Sequence, residues 1–446
     1  MDILYIERQE DRILEAFVRD DRPNKSILLV EGARQVGKTA LVQNALQKFS
    51  MPTYAVNLER DSLLQSEIDE SKDFYEFQDL LQDRLGFEGG SRSIIFFDEA
   101  QESRKLGRYV RFMKEEWEKT TTILSGSTLR RLFRPDTRYP VGRVRRLVLW
   151  PFAFSEYLKA GGKEHLAVEI LSVSPRISEK RHQTLLSLYD QYLKTGGLPA
   201  VVQAYFAAED YHRRRAEIIA DYEQDFVRIF GERSINIAKA CLRSVANFVG
   251  GVSKNSTVMP TVTTQINARI NEIFTRLEGW HMIIRSEQTG PSPHASHQYL
   301  PKRYLFDTGI LRHLRESTVP SIDILHTLSA AARTLLGGVL ENQTAVDILR
   351  FSDSVSGWKK SSVGTEIDFV VKKGEECIPV ECKASLSINK RHLKGLLDYL
   401  NLFSLNRGII VSFAPRSSIT ITNKTVHNIP AYMLERLEDQ VQKKSR

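Results

Sequence analysis

The chain has 446 residues, of which 41% are hydrophobic and 26% charged, and a net charge of +8. These are ordinary globular values, so wholesale disorder is excluded, and domains of roughly 100–200 residues imply two to four of them. No apolar run approaches the ~18 residues of a membrane helix, the first residues show no basic segment leading into an apolar core, and Cys241, Cys377 and Cys382 form no C-x-x-C pair. A cytoplasmic, reducing location without a membrane partner is expected, and the positive balance suits DNA or another nucleic acid without demanding one.

In chain order, short apolar runs at residues 26–30, 93–97, 121–124 and 146–150 are separated by helix-like segments, which predicts a buried parallel sheet. The first run leads into Gly32-Ala33-Arg34-Gln35-Val36-Gly37-Lys38-Thr39, which fits G-x-x-x-x-G-K-[ST] without mismatch between a strand and a helix. Gly32 and Gly37 let the backbone curl so that several N–H groups converge on phosphate oxygens, aided by the positive end of the following helix. Lys38 is expected to reach the β and γ phosphates of ATP, and Thr39 to offer its hydroxyl to Mg²⁺. The second run ends in Asp98-Glu99. Neither acid can face a core unpaired, so both belong at the strand's C-terminal end, where open α/β sheets bind ligands. Asp98 is assigned to Mg²⁺ and Glu99 to activating water; capping the next helix is the alternative. The third run ends in Ser125-Gly126-Ser127-Thr128. Ser125 is positioned to bond the water or the γ-phosphate, and Ser127 or Thr128 to cap a helix. Arg130, Arg131, Arg134, Arg138, Arg143, Arg145 and Arg146 then cluster. Arg143 is the candidate γ-phosphate sensor, within its own chain or in a neighbour of a homo-oligomer; a solvated basic loop is the alternative.

Strand signals vanish between residues 154 and 230, where apolar spacings of three and four predict helices, with Arg213-Arg214-Arg215 on a solvated face. A polar loop at 250–257 precedes a helix at 264–280 and a hairpin of 282–287 with 298–306, which predicts a winged helix or a helical linker. His294 and His297, in the hairpin's tip, have no ligand partners at zinc spacing. From residue 327 come a long helix, strands at 366–372 and 377–383, a helix at 390–403 and a strand at 408–412. In these strands alternation puts Glu381 and Lys383 on one face, with Cys382 on the apolar one, and Glu366 with Asp368 on another shared face. A turn near Gly374 places Asp368 opposite Glu381. Opposed carboxylates destabilise a sheet unless a cation lies between them, and Mg²⁺ or Mn²⁺ takes such ligands.

Together these motifs resemble the AAA-type ATPases of bacteria and archaea that carry a nuclease-like C-terminal domain of unknown function. The resemblance spans nearly the whole chain. It rests on Tyr5-Ile6-Glu7-Arg8, the phosphate loop, Phe97-Asp98-Glu99-Ala100-Gln101, Ser125-Gly126-Ser127, Gly142-Arg143, Leu149-Trp150-Pro151-Phe152, Gly196-Gly197-Leu198-Pro199, Tyr304-Leu305-Phe306-Asp307-Thr308-Gly309 and Gly338-Val339-Leu340-Glu341. It implies a lid in which Pro199 packs near adenine. Asp368, Glu381 and Lys383 match the D…E-x-K pattern of a restriction-type nuclease, with Glu341 as its extra acid. Asp307 is expected to cap the helix at Ile310–Leu314 rather than to serve the site. The expected fold is α/β: an ATPase core at residues 1–153, a helical lid at 154–230, a winged-helix-like segment or linker at 231–315, and a PD-(D/E)xK-like domain at 316–446. The expected function is ATP hydrolysis driving a conformational switch that acts on nucleic acid. An ATP-regulated metal-dependent nuclease and a non-catalytic DNA- or protein-binding adaptor are the alternatives.

Overall fold

The computed structural model describes residues 5–22, 25–129, 132–133, 142–172, 177–252, 254–259, 263–291, 299–316, 318–361, 364–373, 376–437 and 439. The chain divides into two compact units, Met1–Trp150 with Gly279–His281, and Pro151–Glu278 with Met282–Arg446.

The first unit is built on five strands: β1 (Ile27–Glu31), β2 (Thr53–Asn57), β3 (Ile94–Asp98), β4 (Thr121–Gly126) and β5 (Val144–Val148). All pair in parallel, in the order β2-β3-β4-β1-β5. Every residue of β1, β3 and β4 is buried, as a sheet covered by helices on both faces requires. Phe77, Phe97, Tyr109 and Trp117 pack on one face, with the Phe77 and Tyr109 rings stacked at 4.6 Å between centroids. The edge strands differ. β2 has a single buried residue, Val56, and carries none of the continuous apolar signal that marked the others. β5 begins two residues before the apolar run. Its Arg146 is tied to Glu31 of β1 through Nε at 3.0 Å, so an arginine-bearing stretch forms the outer strand.

The second unit opens with the helices Phe154–Ala160, Glu164–Leu171, Glu179–Thr195, Pro199–Phe206, Tyr211–Phe230, Glu232–Asn247 and Thr264–Gly279. The predicted hairpin forms, with β6 (Ile283–Thr289) antiparallel to β7 (Lys302–Leu305). It is not a wing, because the far edge of β6 pairs in parallel with β8 (Val355–Lys359), which in turn pairs with β9 (Glu366–Ile367). The hydrogen-bonding edge that a free wing would expose is used inside a four-stranded sheet. A second sheet follows, in the order β10-β11-β12-β14-β13. It is made of β10 (Phe369–Lys373), β11 (Glu376–Lys383), β12 (Arg407–Ser412), β13 (Ser417–Ile421) and β14 (Lys424–Pro430). The helix Ala330–Ile348 contributes Glu341 from its buried face. Arg130, Arg131, Arg134, Arg138, His294, His297 and Gly374 lie outside the described residues.

Candidate active site

The site in the first unit starts at the C-terminal end of β1. Gly32 has φ +146°, and a Cβ there would lie 2.3 Å from the Leu149 carbonyl oxygen. Glycine is required on both counts. Gln35 and Gly37 also take positive φ, +64° and +97°, and Gly37 caps the helix Lys38–Leu46. The resulting bend turns backbone N–H groups and a helix N-terminus toward one spot. The Lys38 side chain is 5% exposed and its Nζ donates to the carbonyls of Gly32 (3.1 Å) and Ala33 (2.9 Å). Burial lowers its pKa, against the opposing pull of Glu99 and Asp98. Arg34, at the turn's exposed side, pairs with Glu59 at 3.3 Å.

Asp98, the last residue of β3, is the centre of the arrangement. It is 3% exposed, so its oxygens need partners, and three polar side chains supply them. Thr39 Oγ1 and Asn57 Nδ2 each donate to Oδ2 at 2.9 Å, and Ser125 Oγ donates to Oδ1. The parallel register explains the meeting: Asn57 of β2 is opposite Asp98, and Ser125 is the penultimate residue of the buried strand β4. A carboxylate and a threonine hydroxyl in contact form an oxygen donor set that fits Mg²⁺.

Glu99 adopts a left-handed conformation (φ 49°, ψ 43°), a strained geometry for a residue with a side chain and one that concentrates at functional sites. Gln101 Nε2 donates to its Oε2 at 2.6 Å. Burial is the largest influence on Glu99 and raises its pKa, while Lys38 and Gln101 pull it down. Gln101 Oε1 is buried without a hydrogen-bond partner among the described residues and lies 1.8 Å from where a Cβ on Gly126 would stand.

Two contributors went unread in the sequence. Asn57 ends a strand that gave no apolar signal. Arg8, quoted for the resemblance but given no role, is 3% exposed. It donates to the Val36 carbonyl of the phosphate loop (2.9 Å) and to the Trp150 carbonyl (2.6 Å), bracing the loop from behind. Arg143 is not brought to the site of its own chain. It precedes β5 at the N-terminal end of the sheet, where its carbonyl accepts Ile27 N–H at 2.9 Å and its guanidinium pairs with Glu115 at 3.3 Å. A five-residue strand separates that edge from the phosphate loop, about 16 Å at ~3.3 Å per residue.

Pro199 belongs to the second unit, where it opens the helix Pro199–Phe206. The turn before it is pinned by Gly197 N–H donating to Asp307 Oδ2 at 2.7 Å. Asp307 also caps the helix Thr308–Leu314 through Ile310 N–H at 2.8 Å. The same unit gathers Glu341, Asp368, Glu381 and Lys383. Phe369 faces Val380 across the β10–β11 pair, the neighbouring rung to the expected Asp368–Glu381 pairing, and Asp368 Oδ2 accepts Cys382 N–H at 2.9 Å. Lys383 Nζ lies 2.5 Å from Glu381 Oε1. An unforeseen residue joins them: Lys302 of β7, 2% exposed, with Nζ 2.8 Å from Glu341 Oε1 and 3.3 Å from Asp368 Oδ1 and in contact with Glu366 as well. Among the described residues no group of three or more His, Cys, Asp or Glu is arranged to hold a metal ion.

Residues 24–158 match the family described as AAA domain. With the parallel sheet and the phosphate loop, this makes residues 24–158 similar to AAA-type P-loop ATPase domains. Residues 186–321 match a domain of unknown function, DUF8612, and residues 336–432 another, DUF4143. Among solved structures, the chain is similar to the Walker-type ATPase PABY2304 of Pyrococcus abyssi, at 17% identity over 70% of this chain and 96% of that one, with a TM-score of 0.45. It is also similar to Cdc6p from Pyrobaculum aerophilum, at 12% identity over 64% of this chain and 89% of that one, with a TM-score of 0.29. No curated protein matches the chain. Among the described residues no helix is long and apolar enough to cross a membrane.

Proposed function

We propose that the protein binds ATP with Mg²⁺ at residues 32–39 and hydrolyses it to drive a conformational switch acting on nucleic acid. The carrying observation is the meeting of Thr39, Asn57, Asp98 and Ser125, four residues from four different chain segments, beside Lys38 and Glu99. Thr39 and Asp98 would hold Mg²⁺, which when bound supplies positive charge to the phosphate oxygens. Lys38 and the loop's N–H groups neutralise the triphosphate, and the strand end carrying Ser125 orients what lies next to it. Glu99 takes the proton of the attacking water. Its raised pKa makes it a stronger base than an unperturbed glutamate. Gln101 holds the carboxylate until it is engaged.

Arg143, at the far end of its own sheet, serves as a γ-phosphate contact only from one subunit to the next, so that role requires a homo-oligomer. A nucleic-acid partner is supported by the net charge of +8; binding should weaken steeply with salt as counterions are released, and salt-independent binding would remove it. The hydrolytic reading is tested by phosphate release. Wild type is expected to turn over, with Lys38→Ala and Glu99→Gln at least about 100-fold slower, the scale of losing a catalytic base. Equal release by all three refutes it.

A further inference from the structure

The nuclease resemblance implies a divalent cation between Asp368 and Glu381, and the residues present do not fit one. Two of the site's acids, Glu341 and Asp368, are instead held by the Lys302 ammonium, reached from β7. Three carboxylates surround it: Glu341 at 2.8 Å, Asp368 at 3.3 Å, and Glu366 in contact. An ammonium has three donors, one for each. The remaining oxygens are largely engaged. Glu341 Oε1 also accepts the Tyr304 hydroxyl at 2.6 Å, Glu366 Oε2 pairs with Lys359 at 2.9 Å, Asp368 Oδ2 takes the Cys382 N–H, and Glu381 Oε1 takes Lys383. Glu381 Oε2 is buried without a hydrogen-bond partner among the described residues, which leaves one free carboxylate oxygen where the resemblance needs two acids to share a cation. A doubly charged ion bound through Asp368 would share that carboxylate with the Lys302 ammonium, and the two cations repel.

We infer that Lys302 is the resident cation of this cluster, that the C-terminal site takes no divalent metal, and that it performs no metal-dependent strand cleavage. The ammonium ties β7, the helix Ala330–Ile348 and the β9–β10 junction together, where a nuclease would place its metal. The inference stands apart from the ATPase reading, because every group in it belongs to the second unit.

The test is Mn²⁺ binding to the full chain without nucleotide, measured by the loss of the free-ion electron paramagnetic resonance signal. Wild type and Asp368→Asn are expected to bind the same amount. Lys302→Met, which keeps the length and removes the charge, is expected to gain one Mn²⁺ per chain, lost again in Lys302→Met with Asp368→Asn. A wild-type Mn²⁺ that Asp368→Asn abolishes would overturn the inference, as would a folded Lys302→Met that gains none. Should Lys302→Met not fold, the wild-type and Asp368→Asn pair still decides, with Mn²⁺-dependent nicking of supercoiled DNA by wild type counting against it.

Discussion

Glu99 owes its character to what surrounds it, and that makes it sensitive to one neighbour. Burial raises its pKa and the Gln101 hydrogen bond lowers it. A general base works when deprotonated, so turnover rises with pH through its pKa. Gln101→Ala removes a stabiliser of the anion, and the acid limb of the pH–rate profile should therefore move to higher pH. A limb that stays in place or moves lower would show that Gln101 does not act through Glu99. Gly32 is constrained differently. An alanine there needs both a disfavoured φ and the displacement of the Leu149 carbonyl. Gly32→Ala is expected to destabilise the first unit by more than about 1 kcal/mol and to abolish ATP binding, as denaturant titration and calorimetry would report.

At the scale of elements, register rather than proximity in sequence assembles the site. The motif residues were legible because buried strands β1, β3 and β4 are continuous apolar runs that end abruptly in glycine, acid or serine. Asn57 was not, because an edge strand has one buried residue and no run to end. The expected placing of Asp368 opposite Glu381 came from strand alternation and a turn near Gly374, and the rung next to it, Phe369 with Val380, forms; Lys302 gave no such signal. It arrives from a hairpin whose sheet partners lie some fifty residues away, and nothing local separates a buried lysine from a solvated one. The same logic corrects the hairpin itself: its sequence carries the turn and the alternation, but not the identity of the strand on its other edge. Arg143 illustrates the limit of spacing arguments, since standing just before a core strand puts it at the end opposite the phosphate loop. Arg143→Ala should accordingly leave ATP affinity of the monomeric protein unchanged; a tenfold loss in Kd at dilute concentration would contradict that placement.

Across the whole molecule, buried acids tie stability to pH. Burial pushes Glu435 up to about 7 against the hydrogen bonds from Ser155. Burial and then Asp368 push Glu341 up to about 7 and Glu381 up to about 8. Groups whose folded pKa exceeds the unfolded one release protons more readily on unfolding, so the stability these three acids contribute is fully present below about 4.5 and is lost as pH rises toward 8. Glu435→Gln should flatten this decline by about 3 kcal/mol, at ~1.4 kcal/mol per pKa unit. Denaturant midpoints of the second unit at pH 5 and pH 8 would show it, and an unaltered slope would refute it. Removing the Lys302 charge leaves its carboxylates uncompensated, a loss on the order of 3–5 kcal/mol at neutral pH that should shrink as the acids protonate. For the ATPase domain, the most direct measurement is the identity of the nucleotide that stays bound after each protein is incubated with ATP and Mg²⁺ and separated from free nucleotide. Wild type should carry ADP, Glu99→Gln intact ATP, and Lys38→Ala neither. ADP on Glu99→Gln at the wild-type rate, or no nucleotide on the folded wild type, would contradict the assignment of binding to the phosphate loop and of cleavage to the acid beside it.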